Sequence, residues 1–63
     1  MDEKWAFTFG CGQKYAGCYV VFTGNVSETR NRMFQEYGAE WSFQYKYDEE
    51  FLETAKKWNW KQI

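Results

Sequence analysis

The stretch WAFTFGCGQKYAGCYVVFT, residues 5 to 23, decides the fold of this chain. In its first part Trp5, Phe7 and Phe9 alternate with small residues, and a two-residue period is typical of a half-buried β-strand. The run from residue 18 to 23 is nearly all apolar, which predicts a second strand with both faces partly covered. Because a parallel return needs about a dozen residues or more, the shorter connection here predicts an antiparallel hairpin.

The segment after the hairpin predicts a helix over residues 26 to 37. Asn25 and Glu28 have the spacing of a capping box, in which the asparagine side chain accepts from the backbone amide three residues on. Gly38 supplies the left-handed residue that ends many helices. One side of this helix is apolar and is expected to pack on the sheet. Its members are Val26, Thr29, Met33, Phe34 and Tyr37.

A third strand and a second helix follow. Trp41, Phe43, Tyr45 and Tyr47 alternate with polar residues, which predicts a half-buried strand. Asp48 is a good N-cap, and the acids after it and the lysines near residue 57 complement a helix dipole. The stripe on this helix is Phe51, Leu52, Ala55 and Trp58. Residues 59 to 63 form a short tail in which Trp60 and Ile63 are able to dock.

These elements predict a single small α+β domain with the order β-β-α-β-α. A helical crossover after the second strand places the third strand beside the first, which gives a three-stranded antiparallel sheet of order 2-1-3. Both helices are expected on one face of the sheet, against the large side chains of the first and third strands. Residues 1 to 4 are expected to form a disordered arm.

The composition limits the core and the class of partner. A chain of this length removes only about 60% of its unfolded surface from water. Four tryptophans, five tyrosines and six phenylalanines are more aromatic surface than it can hide, so some rings are expected at a contact surface or a homodimer interface. The net charge of −1 disfavours nonspecific binding to nucleic acid. No apolar run is long enough for a membrane span, and the start is unlike a signal peptide, so a cytoplasmic protein is expected.

Catalytic and metal-binding chemistry has little support in the sequence. The chain contains no histidine, which removes the Ser-His, Cys-His and His-metal arrangements. Two cysteines cannot supply the four ligands of a structural zinc site, and we expect Cys11 and Cys18 to be free thiols rather than a disulfide. The acids from Asp48 to Glu53 fit the start of a helix better than a cation site. We therefore expect no enzyme activity, no cofactor and no metal.

The loop Gly10, Cys11, Gly12 and Gln13 is the one motif that suggests a small ligand. Consecutive glycine-rich amides can form an anion-binding nest. No helix follows the loop, however, so it matches neither a P-loop nor a dinucleotide fingerprint, and a simple hairpin connection accounts for it. Exposed rings interleaved with lysines could also stack on unpaired bases. A nucleotide or single-stranded nucleic-acid binding module is therefore the alternative function.

Four segments of the chain resemble a set of short phage proteins. The segments are FTFGCGQ at 7 to 13, YVVFTG at 19 to 24, RNRMFQEYG at 30 to 38 and WSFQY at 41 to 45. They are similar, in order and spacing, to proteins of unassigned chemistry encoded by tailed bacteriophages and prophages of Firmicutes and related bacteria. The chain departs from that pattern at Cys11, Cys18 and Thr29, and after Tyr47.

The resemblance implies a phage origin and the cytoplasm of a bacterial host. It also suggests a non-enzymatic interaction protein that occludes a surface of a host or phage protein, for instance an anti-CRISPR-like inhibitor of a defence system. A small structural phage component is a further alternative. The loop and the polar face of the first helix stay exposed once the core is assigned. The expected contact residues are therefore Gln13, Lys14, Tyr15, Arg30 and Arg32.

Overall fold

The computed structural model describes residues 3 to 63, which form four strands and two helices. In chain order these are β1 (Glu3–Thr8), β2 (Cys18–Gly24), α1 (Val26–Tyr37), β3 (Phe43–Lys46), α2 (Glu49–Lys57) and β4 (Lys61–Gln62). The expectation of a disordered arm at residues 1 to 4 is partly wrong, because Glu3 and Lys4 begin β1. Met1 and Asp2 lie outside the described residues.

The strands form one sheet of order β3-β1-β2-β4. β1 pairs antiparallel with both β2 and β3, which confirms the expected hairpin and the relative order of the first three strands. β4 adds to the free side of β2 in the parallel direction, so the sheet is mixed and the expected three-stranded antiparallel sheet is wrong. Two polar residues, Lys61 and Gln62, make up β4, and so short a segment has no alternation to detect.

The two helices lie on opposite faces of the sheet, not on one face as expected. Phe7 of β1 packs in a cluster with Met33 of α1. The neighbouring Ala6 packs in a second cluster, with Phe51 and Ala55 of α2. Consecutive strand residues point to opposite faces, so each helix has its own face. The fourth strand explains the arrangement, because the chain crosses the sheet in one direction through α1 and back through α2. Two crossovers of the same hand then require opposite faces.

The register of β3 places its aromatic side chains on the α2 face. Tyr45 lies opposite Ala6 and Phe43 lies opposite Thr8. Gln44, which points the other way, donates from Nε2 to the backbone oxygen of Val26 in α1 at 3.2 Å. The expectation that the rings of β3 share a face with Phe7 is therefore wrong. An alternating pattern shows that a strand has two faces, whereas pairing with β1 decides which face is which.

Both helix starts form as expected. α1 spans Val26–Tyr37, and the Asn25 side chain accepts from the backbone amide of Glu28 at 2.8 Å. The Asp48 side chain accepts from the amide of Phe51 at 3.0 Å at the start of α2. Gly38 has a φ of 64° after α1, as expected of the residue that ends a helix. Across residues 3 to 63, neither helix is long and apolar enough to cross a membrane.

Candidate functional site

The outer edge of β3 is open. The amide of Tyr47 donates to the carbonyl oxygen of Lys4 at 3.0 Å, so Tyr47 forms a hydrogen-bonded pair with β1. In an antiparallel ladder such pairs alternate with pairs whose backbone groups point away from the partner strand. The N–H and C=O groups of Gln44 and Lys46 therefore point away from β1. Within the described chain no further strand covers them, because β3 is the first strand of the sheet order.

Aromatic side chains flank this open edge on both faces of the sheet. Phe43 is 63% exposed, and Tyr45 beside it is 40% exposed. Their ring centroids are 6.2 Å apart on the α2 face. On the α1 face Phe34 is 47% exposed and lies edge-on to Trp41 at 5.4 Å. We name these four residues, Phe34, Trp41, Phe43 and Tyr45, the β3 rim.

A hollow and a cation complete the α1 side of the rim. The hollow has a volume of about 440 Å³ and is lined by Arg30, Phe34, Trp41 and Phe43 among others. The guanidinium carbon of Arg30 lies 5.7 Å from the ring centroid of Trp41, within the range of a cation–π contact. Arginine and aromatic residues are the types enriched at the energetic centres of protein interfaces. The rim therefore has the composition of a protein-binding surface.

A second hollow lies on the α2 face beside Tyr45. It has a volume of about 360 Å³, and three rings and two carboxylates line it together with other residues. We name it the Tyr45 cleft, with Tyr45, Phe51 and Trp60 as its rings and Asp48 and Glu50 as its acids. The ring centroids lie 5.7 Å apart for Tyr45 and Phe51, 5.9 Å for Phe51 and Trp60, and 6.5 Å for Tyr45 and Trp60.

The tail closes one side of this cleft. Asn59 has a φ of 57°, in the left-handed region, and this reverses the chain after α2. Asparagine tolerates that conformation better than most residues. The amide of Trp60 then donates to the carbonyl oxygen of Ala55 at 2.8 Å, and its ring packs on the α2 cluster. The tail thus docks on the domain through the ring of Trp60 and through the backbone, since the amide of Ile63 donates to the carbonyl oxygen of Tyr19 at 2.8 Å while the Ile63 residue stays 51% exposed.

The glycine loop is closed by its own glutamine. Oε1 of Gln13 accepts from the amide of Gly10 and, at 3.4 Å, from the hydroxyl of Ser42. The amide of Gln13 in turn donates to the carbonyl oxygen of Gly10 at 3.0 Å. Cys11 and Gly12, between them, are exposed. The Gly10 amide, the first of the expected nest, is therefore engaged within the loop.

The expected contact residues lie in separate places. Lys14 is exposed, but Tyr15 is half-buried, with its ring 5.4 Å from Phe9 and 5.5 Å from Tyr37. Burial raises the pKa of Tyr37 above its ordinary value, with smaller contributions from Glu36 and then Tyr15. This aromatic group joins the loop to the end of α1 and therefore stabilises the fold.

The two arginines of α1 also lie against different parts of the domain. Arg30 adjoins the β3 rim, whereas Arg32 lies over the ring of Phe22 in β2, 4.5 Å from its centroid. Nε of Arg32 is 3.0 Å from a carboxylate oxygen of Glu36. Of the five expected contact residues, only Arg30 adjoins the rim. Sequence reasoning placed Phe34 and Phe43 against the sheet and the helices, and the aromatic surplus predicted that some rings are exposed without indicating which.

The remaining chemistry of the described residues is sparse. Cys11 is an exposed free thiol and Cys18 a half-buried one, as expected. Within residues 3 to 63, no three His, Cys, Asp or Glu side chains are grouped so as to hold a metal ion. Of the acids after Asp48, Glu49 and Glu50 lie in the first turn of α2.

Comparisons of the chain with protein-family models, with curated proteins and with solved structures found no match. The resemblance to phage proteins therefore stays a prediction from the four sequence segments.

Proposed function

We propose that this chain is a non-enzymatic interaction protein that covers a surface of another protein with its β3 rim. The observation that carries the proposal is the exposure of Phe43, whose ring is 63% accessible although it belongs to a strand of the sheet. A large aromatic side chain contributes roughly 150 to 250 Å² when it is buried. Phe43, Phe34 and Tyr45 keep 63%, 47% and 40% of their surface exposed, so a partner that covers the rim removes further apolar surface from water.

The open strand edge gives the proposed contact a defined geometry. The outward N–H and C=O groups of Gln44 and Lys46 can pair with an extended segment of the partner, as in β-strand addition. Side chains of that segment would alternate between the two faces of the enlarged sheet. They would meet Phe34 and Trp41 on one face and Phe43 and Tyr45 on the other. Backbone pairing and aromatic packing then act at the same place.

The biological setting of the proposal comes from the sequence resemblance. Small phage proteins that act on host machinery do so in the host cytoplasm, and an inhibitor of a bacterial defence system, acting by occlusion in the manner of an anti-CRISPR, fits such a role. The partner is then a host or phage protein. Neither the absence of histidine nor the scattered carboxylates supports a catalytic role.

Affinity purification with a matched pair of variants tests the proposal. The tagged chain is recovered from infected bacteria, with nuclease added to a parallel sample. Phe43→Ser removes the central ring of the rim, and Trp58→Ser removes a ring that is equally exposed, at 63%, but lies outside the rim at the end of α2. We expect a stoichiometric protein partner that resists nuclease, is retained by Trp58→Ser, and is depleted at least about tenfold by Phe43→Ser, as for an interface hot spot.

Two outcomes contradict the proposal. Equal recovery of the partner with both variants would place the contact away from the rim. Recovery of nucleic acid alone would favour the nucleotide or single-strand alternative, for which tryptophan quenching by oligonucleotides is the direct assay. Light scattering over a range of protein concentrations tests for self-assembly. A second copy that pairs at β3 would give a dimer, and Phe43→Ser would dissociate it.

A further inference from the structure

We infer that the Tyr45 cleft receives a basic side chain, lysine or arginine, of the protein segment that binds along the β3 rim. The inference rests on the proposed function and adds the chemistry of one partner residue to it. The cleft adjoins the rim directly, because Tyr45 belongs to both and its ring centroid is 6.2 Å from that of Phe43. A segment paired with β3 therefore passes beside the cleft.

The ring arrangement suits a cation. Phe51 is buried and forms the floor, whereas Tyr45 and Trp60 form the two partly exposed walls. Each pair of these three rings is inclined by 35° to 39°, so no pair meets edge to face, and all three rings line the same cleft. The face of an aromatic ring is its electronegative side, and tryptophan and tyrosine attract cations more strongly than phenylalanine does.

The charges around the cleft have the matching sign. Asp48 and Glu50 line it, and the Asp48 carboxylate is fixed by the hydrogen bond from the Phe51 amide. Lys46 also lines the cleft, but its side chain alternates with that of Tyr45 and leaves the sheet on the other face. Its ammonium nitrogen lies 4.0 Å from a carboxylate oxygen of Glu3. Among the described residues neither Asp48 nor Glu50 forms an ion pair, so the cleft combines aromatic rings with two acidic residues that a cation can approach.

This combination selects against the other classes of occupant. A phosphate or carboxylate would meet the two acidic residues, which repel it, and aromatic rings that offer it no cation. A neutral apolar side chain would fill the space but gain nothing from the carboxylates. A lysine or arginine can place its aliphatic stem along the rings and its charged end near Glu50.

The test uses a peptide as the probe and does not need the natural partner. The intact chain, labelled with ¹⁵N, is titrated with acetyl-Ala-Ala-Arg-Ala-Ala-amide and with the same peptide carrying citrulline, a neutral isostere of arginine. We expect a saturable shift of the Trp60 indole and of amides around Phe51 with the arginine peptide, and a markedly weaker one with citrulline. Arginine is used because its planar group stacks on rings.

A pair of α2 variants distinguishes the effect of a charge at the cleft from the effect of a charge on the helix dipole. Glu49 and Glu50 both lie in the first turn of α2, but only Glu50 lines the cleft. Glu50→Gln should weaken arginine-peptide binding by about two- to fivefold, the range of an exposed ion pair, while Glu49→Gln leaves it nearly unchanged. Identical titrations with arginine and citrulline, or equal effects of the two variants, would overturn the inference. If affinity purification of the original chain recovered no protein partner, that result would instead contradict the proposed function alone.

Discussion

Replacement of Gln13 should reveal a role in the fold rather than in contact with a partner. Its Oε1 atom accepts from both the Gly10 amide and the Ser42 hydroxyl, so one acceptor joins the loop to the chain just before β3. Gln13→Ala removes this acceptor and leaves two half-buried donors unpaired. Gln13→Glu keeps an acceptor in the same place and adds a charge that strengthens hydrogen bonds from neutral donors.

The expected size of the effect follows from those two bonds. A typical intramolecular hydrogen bond contributes about 0.5 to 1.5 kcal/mol to stability, and a buried donor left unpaired costs more. Since both donors are only partly buried, Gln13→Ala should lower the free energy of unfolding by about 1 to 2 kcal/mol. Each kcal/mol corresponds to about 4 to 8 °C in the melting temperature of a domain of this size. Gln13→Glu should stay within about 0.5 kcal/mol of the original chain.

Urea unfolding followed by circular dichroism measures both variants. The slope of the transition should not change, so the shift in midpoint reports stability alone. The reasoning is refuted if Gln13→Ala unfolds at the original midpoint, or if Gln13→Glu is destabilised as strongly as Gln13→Ala. Unchanged stability of Gln13→Ala together with loss of a protein partner would restore the interpretation of Gln13 as a contact residue.

Three further predictions concern the core, the tail and the response to pH. Met33 is fully buried, so Met33→Ala should cost about 2 to 5 kcal/mol, and thermal unfolding should show most of the domain's stability lost. Asn59→Val forces a β-branched residue into the left-handed region and should cost about 1 to 2 kcal/mol, while Asn59→Gly stays near the original stability in the same melts. Burial raises the pKa of Tyr19 and of Tyr37 above the ordinary value of 10.0. A smaller contribution in the same direction comes from Tyr47 for Tyr19 and from Glu36 for Tyr37. Because the unfolded chain loses these protons first, the part of the stability that depends on the two tyrosines should be constant below about pH 10 and fall as the pH rises through the folded pKa values, less steeply in Tyr37→Phe.

Local signals in the sequence predicted the elements of the fold well. The bounds of α1 follow from Asn25 and Gly38, since capping needs only neighbouring backbone groups. The hairpin follows from alternation in β1 and from the short connection to β2. Asp48 predicted the start of α2 for the same local reason.

The candidate site was poorly predicted because exposure is a property of the assembled sheet. Phe43 and Phe7 have the same alternating surroundings in the sequence, yet one is 63% exposed and the other is fully buried. The difference arises because Phe7 lies in β1, with a strand on each side and α1 above it, whereas Phe43 lies on the edge strand. Arg30 was selected correctly as exposed, but its contact with Trp41 required the packed α1.

The sequence by itself thus determined the element types, the helix ends and the surplus of aromatic rings, which depend on residues within a few positions of one another. The tertiary structure alone decided the fourth strand, the opposite placement of the helices and the identity of the exposed rings. Those features depend on pairings between residues far apart in the chain, such as Tyr45 with Ala6 and Tyr19 with Gln62. A period-two pattern is unchanged when the whole strand is turned over, so only its pairing with β1 could fix which side chains face α2 and which ones line the open edge.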